Sequence, residues 1–248
     1  MKLDSNILGV STQIWQNFKI AKANQAAIIR SGCGSYGSYS YDPNNPFDFS
    51  RSESDAEHVF GTLVLFTQVN EFYPSLINQA NYFRAINCLL YHEMGENMFG
   101  DIQDNGNRNE SKKNMDEQNY LIDYMKDWST FHRTQICNTF VEMQDKSTTL
   151  GSLLYLIDKT EVILQNLIYE DQGRGGDAKN CPYLTPRDQM EINETGSTKP
   201  ADMWSYGLYT KYCKKDSPHR ELFRIFLNII RAGARDVRGK DLSWIETS

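Results

Sequence analysis

Between Leu89 and Asp101 the chain places one histidine and three carboxylates, His92, Glu93, Glu96 and Asp101, within ten positions, directly beside the apolar pair Leu89-Leu90. On a helix, His92 and Glu96 are i, i+4, and Glu93 and Glu96 are i, i+3. That spacing sets the three side chains on roughly one face. Carboxylates crowded against an apolar wall repel one another, and at least one pKa rises unless a cation neutralises them. A fold of this chain either keeps one of these carboxyls protonated or brings positive charge to that face. A divalent metal working with a general acid or base is the simplest resolution.

The rest of the chain is equipped to build a core around such a site. Of 248 residues, 40% are hydrophobic and 12% aromatic, which argues against disorder. The net charge of −6 weighs against a polymeric nucleic acid or an anionic membrane as partner, since both need a basic surface. No run approaches the ~20 apolar residues of a membrane span, and no apolar segment follows the first residues as in a secretory signal. The cysteines Cys33, Cys88, Cys137, Cys181 and Cys213 are dispersed, odd in number and form no C-x-x-C pair. They read as free thiols in a reducing cytoplasm, the expected location.

The periodicity predicts an all-α protein. An opening helix is expected over 7–30, with Ile14, Trp15, Phe18, Ile20 and Ala21 on its apolar side. Glycine, serine and Asp-Pro turn chemistry mark 31–50 as a loop. A long helix is expected from near Ser54, where Ser54-Asp55-Ala56-Glu57 resembles a capping box, to near Pro74. It carries His58, with Val59, Leu63 and Phe66 at helical spacing. The next helix, 78–98, is expected to bury Phe83, Ile86, Leu89 and Leu90. Further helices are expected over 115–126, 132–144, 149–170, 202–213 and 218–233, with a polar, loop-rich stretch from 171 to about 200. His132 and His219 read as structural, and Trp204, Tyr206, Tyr209 and Tyr212 as packing. The expected organisation is a helical core over 1–175 with a C-terminal helical extension, 176–248, packed on it.

Within the helix 149–170, Asp158 follows three apolar residues in a strong helical pattern. Aspartate is a poor mid-helix residue, because its side chain competes for backbone groups. Taken in order, Arg51-x6-His58, then His92-Glu93-x-x-Glu96-x4-Asp101, then Asp158-Lys159-x-Glu161 strongly resembles the HD-domain metal-dependent phosphohydrolases, and most closely their 5′-deoxynucleotidase branch. The likeness runs over 51–170. It implies an all-α bundle with one divalent metal held between helices by His58, His92 and Asp158, with Glu93 standing where the family has the aspartate of its His-Asp pair. It further implies that Glu96 and Asp101 handle the attacking water and the proton, and that Arg51 meets the phosphate. Imidazole and carboxylate donors suit Co, Mn, Fe, Ni, Zn or Mg without selecting one.

The implied activity is hydrolysis of a small phosphate ester, a nucleoside 5′-monophosphate foremost, by a protein whose relatives form homodimers. The alternative is an HD-fold metal- or nucleotide-binding protein with little turnover, or a phosphohydrolase of another phosphoester. The chain departs from the branch in two places: His92-Glu93 replaces His-Asp, and the Arg-Trp pair expected upstream of His58 is replaced by a Gly/Ser/Tyr loop. A zincin-type protease does not fit, because position 96 is glutamate where the second zinc-binding histidine would stand.

Overall fold

The computed structural model describes residues 9–16, 19, 55–95, 110–173, 178, 186–213 and 217–246. Residues 9–16 are helical, and α1 (Asp55–Phe72), α2 (Gln79–Tyr91), α3 (Glu110–Tyr124), α4 (Thr130–Asp145), α5 (Thr149–Asp171), α6 (Pro186–Thr195), α7 (Pro200–Tyr212), α8 (Arg220–Arg238) and the short α9 (Ser243–Glu246) follow. Single 3-10 turns lie at Pro74–Leu76 and His92–Gly95. There is no strand among the described residues, so the chain is all-α as its periodicity predicts. No described helix is long and apolar enough to cross a membrane.

Helix α5 organises the rest. From Leu150 to Tyr169 every position is buried except Tyr155, Lys159 and Val162, which form one narrow stripe at i, i+4 and i+7. A helix buried nearly all round belongs at the centre of a bundle. Helices α1, α4, α7 and α8 surround it, α2 packs on α1 and α4, and α6 lies on α7. Leu154, Leu156, Ile157 and Leu164 at its centre are fully buried, and removing any one would cost about 2–5 kcal/mol.

Local chemistry starts and stops these helices. Asn78, Ser129 and Thr148 cap α2, α4 and α5, their side chains accepting from the backbone N–H groups of Asn81, His132 and Gly151, which satisfies donors the helix leaves orphaned. Close approach of α4 and α5 is permitted by Gly151, where a Cβ would collide with the Glu142 carbonyl. At the N-terminus, Trp15 is fully buried and its Nε1 donates to Asp236 Oδ2 at 2.9 Å, pinning the first helix to α8. At the C-terminus, Arg238 ties α8 to Glu170 of α5 (2.6 and 2.8 Å) and to Asp202 of α7 (3.0 Å).

Several expectations need correction. The helix predicted over 78–98 ends at Tyr91 and tightens into the 3-10 turn His92–Gly95. Phe83 and Leu90 are 60% and 40% exposed rather than buried. They sit seven residues apart on the stripe opposite Ala85, Cys88 and Leu89, and only the latter face meets the core. Helix α6 lies inside the stretch read as loop. Helix α3 starts at Glu110, and α8 continues to Arg238, where Gly239 at φ 68° closes it as a left-handed C-terminal glycine does. Ile14 and Trp15 are buried as expected, while Phe18, Ile20, Ala21 and Ser54 lie outside the described residues, as do Cys33 and Cys181. Cys88, Cys137 and Cys213 are free thiols. Tyr206 and Tyr209 pack with Trp244, and Tyr212 stacks on Phe223.

Candidate metal centre

Three elements deliver four side chains to one point. His58 comes from the first turn of α1, His92 and Glu93 from the 3-10 turn after α2, and Asp158 from the middle of α5. One donor atom from each lies within 4.8 Å of all the others. His58 Nε2 is 3.1 Å from Asp158 Oδ1, 3.3 Å from His92 Nε2 and 3.4 Å from Glu93 Oε1, and His92 Nε2 is 3.0 Å from Glu93 Oε1 and 3.9 Å from Asp158 Oδ1. A tetrahedral shell with bonds of about 2.0–2.1 Å has donor–donor edges of about 3.3 Å. The separations here bracket that value.

The 3-10 turn explains why position 93 is glutamate-compatible. Successive residues of such a turn project about 120° apart, so adjacent side chains do not naturally reach one point. The extra methylene of Glu93 lets its carboxylate fold back to the Nε2 of its neighbour.

The tautomers are set from outside the cluster. His92 Nδ1 lies 2.8 Å from the Leu89 carbonyl oxygen, which can only accept, so Nδ1 carries the proton. His58 Nδ1 donates to Glu161 Oε2 at 2.6 Å, deep in the core. In the neutral rings both Nε2 lone pairs therefore point at each other and at two carboxylate oxygens. With both Nε2 atoms unprotonated, four acceptors converge in an arrangement that could hold a cation. Outer hydrogen bonds that fix a histidine's tautomer and aim are the usual accompaniment of metal ligation. Lys159 Nζ holds the other oxygen of Asp158, Oδ2, at 2.9 Å, leaving Oδ1 to the cluster.

The electrostatics agree. Burial pulls His58 down, but the carboxylates of Glu161, Asp158 and Glu93 outweigh it and hold its pKa well above the ordinary value. Burial likewise lowers His92, and Glu93 and Asp158 more than offset it. For Glu93 burial opposes ionisation, and His92 and His58 reverse it, holding the carboxyl well below the usual range. Asp158 is held down against burial by Lys159, His58 and His92. Without a metal, these groups can balance only by protonating the imidazoles. Cys88, the nearest cysteine in sequence, is kept a protonated thiol by burial, and the donors that converge among the described residues are nitrogen and oxygen.

Of the site residues predicted from sequence, His58, His92, Glu93 and Asp158 are brought together, while Arg51, Glu96 and Asp101 lie outside the described residues. His92 and Glu93 lie in the 3-10 turn His92–Gly95 and not in a continuing α-helix; their expected shared face with Glu96 falls outside the described residues. Glu161 received no role from sequence alone. It is fully buried, and a Cβ at Gly61 on the facing helix α1 would collide with its carboxylate. A glycine inside an apolar helix costs about 1 kcal/mol against alanine, so Gly61 was the available signal. We expect Glu161→Gln to weaken divalent-metal affinity about 10–100-fold. The amide can present N–H to His58 Nδ1 and so push the proton onto Nε2. Competition with a chromophoric chelator reads this directly, and unchanged affinity would make Glu161 a packing residue.

An all-α bundle with a buried histidine–carboxylate cluster fed by three helical elements defines the class. A family model described as HD domain matches residues 46–187, more than half of the chain. The chain belongs to the HD-domain family, whose members are in general divalent-metal-dependent phosphohydrolases. No curated protein and no solved structure matches the chain.

Proposed function

We propose that the chain is a phosphomonoesterase of the 5′-deoxynucleotidase type, hydrolysing nucleoside 5′-monophosphates with one divalent metal held by His58, His92, Glu93 and Asp158. The observation that carries this reading is the convergence of four nitrogen and oxygen donors within 4.8 Å of one another, with outer hydrogen bonds that fix the aim of both imidazoles. When bound, a divalent metal lowers the pKa of a coordinated water and polarises a phosphoryl oxygen. Glu161 and Leu89 hold the two imidazoles in the ligating tautomer, and Lys159 keeps Asp158 ionised and directed. Glu96 and Asp101, close in sequence to the 3-10 turn, are assigned the proton transfers, and Arg51, seven residues before His58, the phosphate. Glu96→Ala and Asp101→Ala should keep the metal and lose at least about 10²-fold in rate, as removal of a general acid or base does. Normal turnover by both variants would reject these roles.

The second reading is a metal- or nucleotide-binding HD protein with little turnover, and the observation favouring it is Glu93 in place of the pair's aspartate. Phosphate release from a panel of nucleoside monophosphates, with Co, Mn, Ni, Zn and Mg each supplied in turn, separates the two. Release that is abolished by chelation supports the enzyme. Tight nucleotide or metal binding with no release under any metal supports the second reading.

A further inference from the structure

The exposed stripe of α5 carries a second feature next to the metal-type cluster. Tyr155 stands one turn before Asp158, and three lysine ammoniums gather on its ring: Lys211 Nζ at 4.3 Å, Lys146 at 4.5 Å and Lys159 at 5.8 Å from the centroid. Lys211 Nζ also donates to the Tyr155 hydroxyl at 3.0 Å. Three different elements supply these lysines: the C-terminal cap of α4, the middle of α5 and the last turn of α7. Lys159 belongs to both features, since the same ammonium holds Asp158 Oδ2 at 2.9 Å.

Packing does not require this arrangement. One ammonium satisfies one aromatic ring; Lys159 is held as well by Asp158, and Lys146 Nζ donates to the Gln144 carbonyl, yet three like charges around one ring still repel one another. The chain carries a net charge of −6, so a cluster of lysines is not its background composition. Lys146 is also the sole non-glycine residue at positive φ (55°) among the described residues. That conformation favours glycine or asparagine, so a lysine is kept there at a backbone cost. What three ammoniums beside a phosphoryl-processing centre fit chemically is a second phosphoryl group.

We propose that Lys146, Lys159 and Lys211, gathered over Tyr155 beside the His58–Asp158 cluster, bind an anionic phosphoryl group of the substrate other than the one at the metal centre. This rests on the phosphohydrolase reading of the same site, and narrows its substrate class to 5′-phosphomonoesters of nucleosides that carry a second phosphate elsewhere on the molecule. The test uses the metal-loaded full chain and two probes that cannot be hydrolysed, propylphosphonate and propylene bisphosphonate, with binding read by calorimetry. The substitutions are Lys146→Asn, which suits the left-handed backbone, and Lys211→Gln, both away from the metal ligands.

The wild type should bind the bisphosphonate about tenfold more tightly than the monophosphonate, two lysine–anion contacts being of that size. The double variant should lose that gap while keeping its monophosphonate affinity and metal content. Equal binding of the two probes by the wild type, binding of neither, or a gap that survives the double substitution overturns the subsite. Because no turnover is involved, absence of phosphate release from any nucleotide would sink the phosphatase reading separately.

Discussion

Alanine in place of His58, His92 or Asp158 is expected to cost the protein its divalent metal. Metal binding to a four-donor protein site is worth about 10–16 kcal/mol, so each donor carries roughly 3 kcal/mol, about two orders of magnitude in affinity. The wild type should contain about one metal per chain, and at metal concentrations a hundredfold above its dissociation constant gain about 2.7 kcal/mol of stability. The variants should gain little. The apo form responds differently. Without metal the protonated imidazole of His58 balances the buried carboxylates of Glu161, Asp158 and Glu93, so its removal costs apo stability by stranding them. Metal-dependent stabilisation, rather than apo stability, is therefore the discriminating readout. Full metal occupancy in all three variants would reject the site.

A second large effect is expected outside the cluster, at Asp241. Its carboxylate accepts from Arg231 Nε at 2.9 Å and Nη2 at 2.6 Å, from Arg235 Nη2 at 2.6 Å, and from the Leu242 backbone N–H at 2.9 Å. Arg231 is buried on α8, the helix packed along α5. Asp241→Ala leaves its guanidinium buried without that countercharge, a loss of about 3–5 kcal/mol. For a chain of this length that lowers the Tm by roughly 10 °C. A compensated variant, Arg231→Met with Asp241→Leu, should recover most of it, since replacing both partners of a buried pair by apolar groups is often neutral.

The pH dependence carries a definite sign. Burial opposes ionisation of Asp241, but Arg231, the Leu242 N–H and Arg235 hold its pKa below the ordinary value. Its contribution is present above the unfolded carboxylate pKa of about 3.9 and is lost as pH falls through the depressed folded value. The wild type should thus lose stability relative to Asp241→Ala only in acid. Thermal melts of both proteins from neutral pH downward check this, and a gap between them that does not narrow in acid would contradict it.

The parts of this fold that could be read in the sequence are those where local pattern and tertiary role coincide. Helix α5 is apolar over nearly its whole circumference, and its burial follows. Helix α1 ends against Pro74 as turn chemistry dictates. Helix α6 hides its nature because it is largely polar, with Glu191 buried beside Arg187 and facing Gly207 of α7, and that partner is forty-odd places from the core motifs. Phe83 and Leu90 mislead because α2 carries apolar residues on two faces and only one meets the core.

The candidate site divides the same way. His58, His92, Glu93 and Asp158 come together as the family resemblance implies, from three elements that no local pattern links. The 3-10 turn that aims His92 and Glu93 at one point has no sequence signature comparable to a cap. Glu161 is invisible locally, since an acid three residues after Asp158 in a helix ordinarily faces water. Its meaning appears only when α1 lays Gly61 against it.

The central claim is that His58, His92, Glu93 and Asp158 form one metal shell. X-ray absorption at the zinc edge of zinc-loaded protein tests it most directly. The account predicts a first shell of nitrogen and oxygen at about 2.0–2.2 Å, with outer-ring scattering from two imidazoles. A shell containing sulfur, or one without the scattering of two imidazole rings, would contradict it.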